Sequence, residues 1–146
     1  MHIRTLARAL ALSTADWRLL IAATAAQILV ALALRLMPLP ALRRRVAHLR
    51  RIAQRLMRSP ENRVTWAIEA SGRRLPGIST CLVRAIVGEL VLNVPERPLR
   101  VNIGIKRGAA GDLLAHAWLA GHDRVLIGGD VADEYMVLLA WNSLFT

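Results

Sequence analysis

The chain carries one cysteine, Cys81, in the stretch Leu75-Pro76-Gly77-Ile78-Ser79-Thr80-Cys81-Leu82-Val83-Arg84-Ala85. Pro76 and Gly77 punctuate the backbone, and Ser79 or Thr80 can cap the next turn. Leu82, Ala85, Ile86 and Leu90 recur at helical spacing, so a helix begins at or beside Cys81 and runs to about Leu92. Unpaired N–H groups and the positive end of the dipole at a helix start favour thiolate, the nucleophilic form. The same N–H groups can hold the oxyanion of a tetrahedral intermediate. A lone cysteine is more often a small buried apolar residue, so the chemistry depends on finding it a base. His116 stands in the alternating run Leu114-Ala115-His116-Ala117-Trp118-Leu119, which reads as a strand. Arg124-Val125-Leu126-Ile127 reads as the next strand and ends at Gly128-Gly129-Asp130. Cys81, His116 and Asp130 are the residue types of a Cys-His-Asp triad. There the imidazole takes the thiol proton, and the carboxylate fixes the tautomer and steadies the imidazolium.

To position those residues, the 146 positions suit one domain with a real core. Apolar residues make up 55%, which argues against disorder, and the net charge of +10 predicts attraction to anionic partners. A single cysteine excludes an internal disulfide and fits a reducing compartment. Leu19 to Leu34 is broken only by Thr24 and Gln27. As a helix it is about 24 Å long, short of the roughly 30 Å hydrocarbon core; extending it to Met37 takes in Arg35, which can snorkel. It reads as a buried or interfacial helix, with a membrane span as the alternative. A signal peptide fits poorly because Arg8, Asp16 and Arg18 interrupt the approach. Pro38 and Pro40 are expected to end this helix. Ala41 to Arg58 then forms a basic amphipathic helix, with Val46, Leu49, Ala53 and Leu56 as its apolar stripe. Its arginines are either a solvated face or a dock for a partner or anionic lipid. No nucleic acid partner is expected, since Tyr135 and Phe145 are the only residues of their types and build no stacking platform.

Ser59-Pro60-Glu61-Asn62 breaks the chain, with Ser59 or Asn62 as cap for a short helix over Arg63 to Ala70 that turns Trp66 and Ile68 inward. Leu99 to Lys106 alternates as the clearest strand, and Gly108 to Asp112 is a turn. The strands form an antiparallel meander, and the tail supplies Tyr135, Leu138 and Trp141 as packing residues. The fold class is α+β: a helical N-terminal half plus the nucleophile helix packed on a small antiparallel sheet. The chain divides into a helical section, 1–58, and a core, 59–146, in one compact domain overall.

Pro-Gly-Ile-Ser-Thr-Cys-Leu-Val-Arg-Ala at 76–85, followed by His-Ala-Trp at 116–118, closely resembles the lasso peptide biosynthesis B protein in its stand-alone peptidase form. The resemblance implies a transglutaminase-like, papain-like cysteine peptidase core with Cys81 as nucleophile and His116 as base. It implies removal of the leader from a ribosomally made precursor peptide, through an acyl-thioester, after a leader whose penultimate residue is typically threonine. It implies no metal and no cofactor. Its partners are the precursor, a separate leader-recognition protein and the lasso cyclase, in the cytoplasm, with membrane contact through the N-terminal helix as an open addition.

The family's acidic position comes after the second strand, which favours Asp130. Asp123 is the rival but lies in the Gly121-His122-Asp123-Arg124 hairpin, where Asp is an ordinary turn residue; Asp133 is third, and Asp112 reads as turn. This chain has Leu119-Ala120 where relatives commonly have Val-Glu, and its hairpin is about one residue longer, which shifts the register of Asp130. Arg84 can favour thiolate or pair with a carboxylate, and Trp118 can shield the base or simply pack. Papain-type sites often take a second oxyanion donor from a glutamine; only Gln27 and Gln54 are present, both in expected helices, so a backbone N–H is the alternative. His122 is expected to be exposed, and His2 and His48 have no acidic neighbour in sequence. A zinc site from Cys81, His116 and His122 lacks any known ligand spacing. Two other classes remain open: a thiol acyltransferase of the same fold, and a non-enzymatic, basic, membrane-associated interaction protein.

Overall fold

Helix α1 (Thr14–Leu36) begins at a capping box: Ser13 Oγ accepts from Asp16 N–H at 3.2 Å, and Asp16 accepts from Ser13 N–H at 3.1 Å. The computed structural model describes residues 12–142; His2, Phe145 and the first turns of the expected N-terminal section lie outside them. Leu19, Leu20, Ala23, Gln27 and Val30 line the buried side of α1, which packs against α3 (Glu61–Gly72), α4 (Cys81–Leu92) and α2 (Leu39–Leu56). The proline punctuation falls differently from the expectation. Pro38 is the N-cap of α2 and Pro40 lies in its first turn, where a missing N–H costs nothing and a fixed φ suits the helix. Pro40 therefore starts α2 instead of ending α1, and α2 sits two residues earlier than expected.

Helix α2 buries Leu42 and Val46 against the core, while Leu49 and Leu56 of the expected stripe are exposed. Helix α3 extends two residues beyond the expectation at each end, with Pro60 as N-cap and no side-chain cap from Ser59 or Asn62. Ile68 is fully buried, and Trp66 is half-buried beneath the Arg63 guanidinium, 4.6 Å from its ring. Helix α4 spans the residues its periodicity predicted and is buried along most of its length.

The sheet contains β1 (Arg100–Arg107), β2 (Leu113–Ala120), β3 (Val125–Ile127) and β4 (Met136–Trp141), in the order β3-β2-β1-β4, every neighbour antiparallel. The first three strands are the expected meander. The tail, expected to supply only packing residues, returns as a fourth strand along the free edge of β1. Trp141 is buried at its end as expected, but Leu138 is 62% exposed. On β4 both faces are open until Trp141, so neither alternation nor burial marks it as a strand. Val101, Ala117, Leu119 and Ile127 cover α4 from the sheet. Gly88 lets the helix settle there, because a Cβ would fall 2.4 Å from Ile127 Cδ1 and 2.8 Å from Leu119 Cδ2. The architecture is the expected α+β class.

Candidate functional site

Gly77 takes a left-handed φ of 74°, which an L side chain rarely adopts, and turns the chain after α3. Leu75 C=O accepts from Ile78 and Ser79 N–H groups, closing that turn. Thr80 is the N-cap, its hydroxyl accepting from Val83 N–H at 3.3 Å, and Cys81 is the first residue of α4. The amides of Cys81 and Leu82 precede any intrahelical acceptor, so they remain available beside the sulfur. Cys81 is half-buried and packs against the core.

Two supports hold this turn to the helical half. Gln27, fully buried on α1, accepts from the Ser79 hydroxyl, while its amide nitrogen donates to Ile68 C=O at 3.1 Å and to Ser71 Oγ at 2.6 Å. Arg84 donates to Glu69 of α3 at 2.7 Å, so of its two expected roles it takes that of a carboxylate's partner. Gly72 permits both, because a Cβ there would lie 2.7 Å from Ser79 Oγ and 2.8 Å from Arg84 Cδ. Gln27 thus reaches the turn before Cys81, but its N–H groups are spent on α3. Its signal in sequence is its polarity within an otherwise apolar run. Gln54 bonds to Asn93 C=O, at the far end of α4 from Cys81.

His116 lies mid-strand on β2, opposite Gly104 of β1. Its Nε2 is 2.8 Å from Gly128 C=O, just past the end of β3. A carbonyl oxygen only accepts, so Nε2 carries a proton, and the neutral ring keeps its lone pair at Nδ1. Trp118 stacks near the ring (centroids 6.0 Å apart, planes 17° apart), and Tyr135 lies tilted at 5.3 Å. Gly104 gives that cluster its space, since a Cβ would meet two Trp118 ring atoms and Tyr135 Cβ at 2.9 Å.

Ala117 and Leu119 face α4, so strand alternation turns His116 and Trp118 to the other side of β2. Among the described residues, Cys81 and His116 are held by their own supports, and no hydrogen bond joins sulfur to imidazole. Asp130 is exposed in the short 3-10 helix Gly129–Glu134, two residues beyond the carbonyl that holds His116, and no hydrogen bond joins its carboxylate to the ring. Asp133 is exposed on the same helix. His122 and Asp123 pair with each other in the exposed hairpin, and Asp112 closes the β1–β2 turn. His48 is exposed, with Nδ1 2.9 Å from Arg44 C=O. Among the described residues, no three His, Cys, Asp or Glu side chains gather to hold a metal ion. The partner that sequence reasoning missed is Gly128, whose contribution is a backbone oxygen that no residue type advertises.

The sequence pattern of the transglutaminase-like superfamily matches residues 6–140, a span that includes Cys81, His116 and Asp130. No curated protein and no solved structure gives a match.

Proposed function

Because the chain belongs to the transglutaminase-like superfamily, we propose that it is a cysteine peptidase that removes the leader from a lasso peptide precursor. Superfamily membership points to thiol protease or acyltransferase chemistry. The choice of leader removal comes from the resemblance of residues 76–85 and 116–118 to the lasso B protein. The observation that carries the reading is the position of the chain's only cysteine, at the first residue of a helix whose N-cap is already supplied by Thr80.

In the proposed reaction, His116 Nδ1 takes the proton from Cys81 Sγ in the peptide complex, which requires the imidazole to be brought round from the face of β2 turned away from α4. The thiolate adds to the scissile carbonyl carbon, and amide N–H groups at the start of α4 hold the oxyanion. The C–N bond breaks as the imidazolium proton passes to the core's amine, leaving the leader as a thioester on Cys81. A water that gives its proton to the same imidazole then releases the leader carboxylate and restores the thiol. Gly128 C=O keeps the ring in the required tautomer, and Asp130 steadies the imidazolium. A separate recognition protein presents the leader, and the freed amine passes to the cyclase.

Mass spectrometry of precursor incubated with the protein and its recognition partner tests this. Leader acid plus free core is the expected outcome, abolished in Cys81→Ala. An amide-linked leader product would move the protein to the acyltransferase class. Undiminished cleavage by Cys81→Ala would remove the nucleophile and the reading with it.

A further inference from the structure

The charge of this chain is segregated. Eleven arginines and one acidic residue, Asp16, precede Glu61; from Glu61 onward there are nine lysines or arginines and nine acidic residues. The whole formal charge of +10 therefore belongs to the first 60 residues, and the part that carries Cys81 and His116 is neutral. From Trp17 to Pro60 there is no carboxylate side chain at all. Arg44, Arg45, Arg51, Arg55 and Arg58, in or just after α2, are exposed and make no ion pair among the described residues. Exposed aliphatic side chains are interspersed with them: Leu49 at 54%, Ile52 at 57% and Leu56 at 68%. Helix α1 adds its own uncovered apolar side, with Ile21, Leu29, Leu32 and Leu36 at least half exposed.

We infer that the α1–α2 face docks on an anionic lipid surface and lies on the bilayer without crossing it. Unpaired arginines mixed with exposed leucine and isoleucine match phosphate headgroups above acyl chains, the pairing that holds amphipathic helices at an interface. Nucleic acid would satisfy the arginines but leave the aliphatic side chains in water. Crossing is opposed by the packing. Helix α1 is long and apolar enough to span, but Leu19, Leu20, Ala23 and Val30 belong to the core, and Gln27 is bonded to Ile68, Ser71 and Ser79. Pulling α1 into lipid would open that core and release the nucleophile turn.

Co-sedimentation with vesicles tests the inference independently of any enzymatic activity, and Cys81→Ala should bind like the parent. The protein is expected to pellet with vesicles of phosphatidylglycerol and phosphatidylcholine in equal parts, to stay in solution with phosphatidylcholine alone, and to bind less as salt rises. Replacing Arg44, Arg51 and Arg55 together by Gln should lower partitioning on the order of a hundredfold, each charge contributing about tenfold or less. Leu49→Ser with Ile52→Ser should weaken binding at unchanged charge. All these positions are exposed, so circular dichroism should report a normal fold. A folded parent that ignores anionic vesicles overturns the inference, as does binding that survives the triple Gln variant. Retention in the bilayer after alkaline carbonate washing would establish a span instead. Tighter binding to duplex DNA than to the vesicles would assign the face to nucleic acid.

Discussion

At the scale of single residues, the candidate base is defined by what its other nitrogen does. Gly128 accepts from His116 Nε2 while holding φ at 75°, and a Cβ there would lie 3.0 Å from Ala117 C=O and 3.3 Å from Nε2 itself. Gly128→Ala must therefore strain the left-handed conformation, at about 1–2 kcal/mol, or swing the carbonyl away from the ring. The first weakens the support of the ring and the second removes the anchor of its tautomer. Turnover of precursor is expected to fall by at least about tenfold with KM little changed. The carboxylate question is separate. Asp130 is near Gly128 in the chain, whereas Asp123 is tied to His122 in an exposed hairpin. Asp130→Asn should reduce turnover sharply and Asp123→Asn should not; the reverse result would reassign the third member of the triad. Residue type made Cys81 and His116 legible as candidates. It could not reveal Gly128, since a backbone oxygen belongs to every residue and only the register of β2 against the end of β3 brings this one to the ring.

At the scale of elements, the helix that begins at Cys81 is positioned by a polar strut in an apolar wall. Gln27 bonds from α1 both to α3 and to the turn before Cys81. Gln27→Leu keeps similar volume but leaves the part-buried Ser79 hydroxyl without its acceptor, a loss of about 1–3 kcal/mol. Thermal unfolding followed by circular dichroism should show that loss, and Cys81 should react faster with iodoacetamide as its turn loosens. Unchanged alkylation would mean that the Arg84–Glu69 pair holds the turn alone. The other end of α1 responds to pH. Hydrogen bonds from Arg63 and then from Ser13 hold the Asp16 carboxyl below its ordinary value. A depressed folded value stabilises the protein above the unfolded one and ceases to do so as pH falls through it. The melting-temperature gap between parent and Asp16→Asn should thus be widest near neutrality and close on acidification. Periodicity made α4 legible, because Leu82, Ala85, Ile86 and Leu90 recur at helical spacing even though the helix is buried along most of its length. It misplaced the start of α2, because a proline ends one helix or opens the next according to which carbonyls lie before it, and it missed β4, whose side chains are exposed on both faces.

At the scale of the whole molecule, the charged helical section and the neutral remainder share one polar hub. Glu89 of α4 is 1% exposed; it accepts from Asn93 at 2.6 Å and pairs with Arg50 of α2 at 3.4 Å. Asn93 also accepts from Leu99 N–H at 2.8 Å and donates to Asn142, while Gln54 of α2 donates to the Asn93 carbonyl. One cluster therefore ties α2, α4, the entry to β1 and the exit from β4. Breaking such a buried pair from one side is strongly destabilising, so Glu89→Ala should cost about 3–5 kcal/mol. Because the hub joins both sections, that loss should fall on the entire molecule. We expect parent and variant each to unfold in a single transition in urea, with helical circular dichroism and tryptophan fluorescence coincident. Trp17 reports on the first section, and Trp66, Trp118 and Trp141 on the second. If the fluorescence transition separated from the helical one, residues 1–58 and 59–146 would be two folding units. The lipid-facing helices could then part from the site they support, and the strut at Gln27 would be a hinge instead of a clamp.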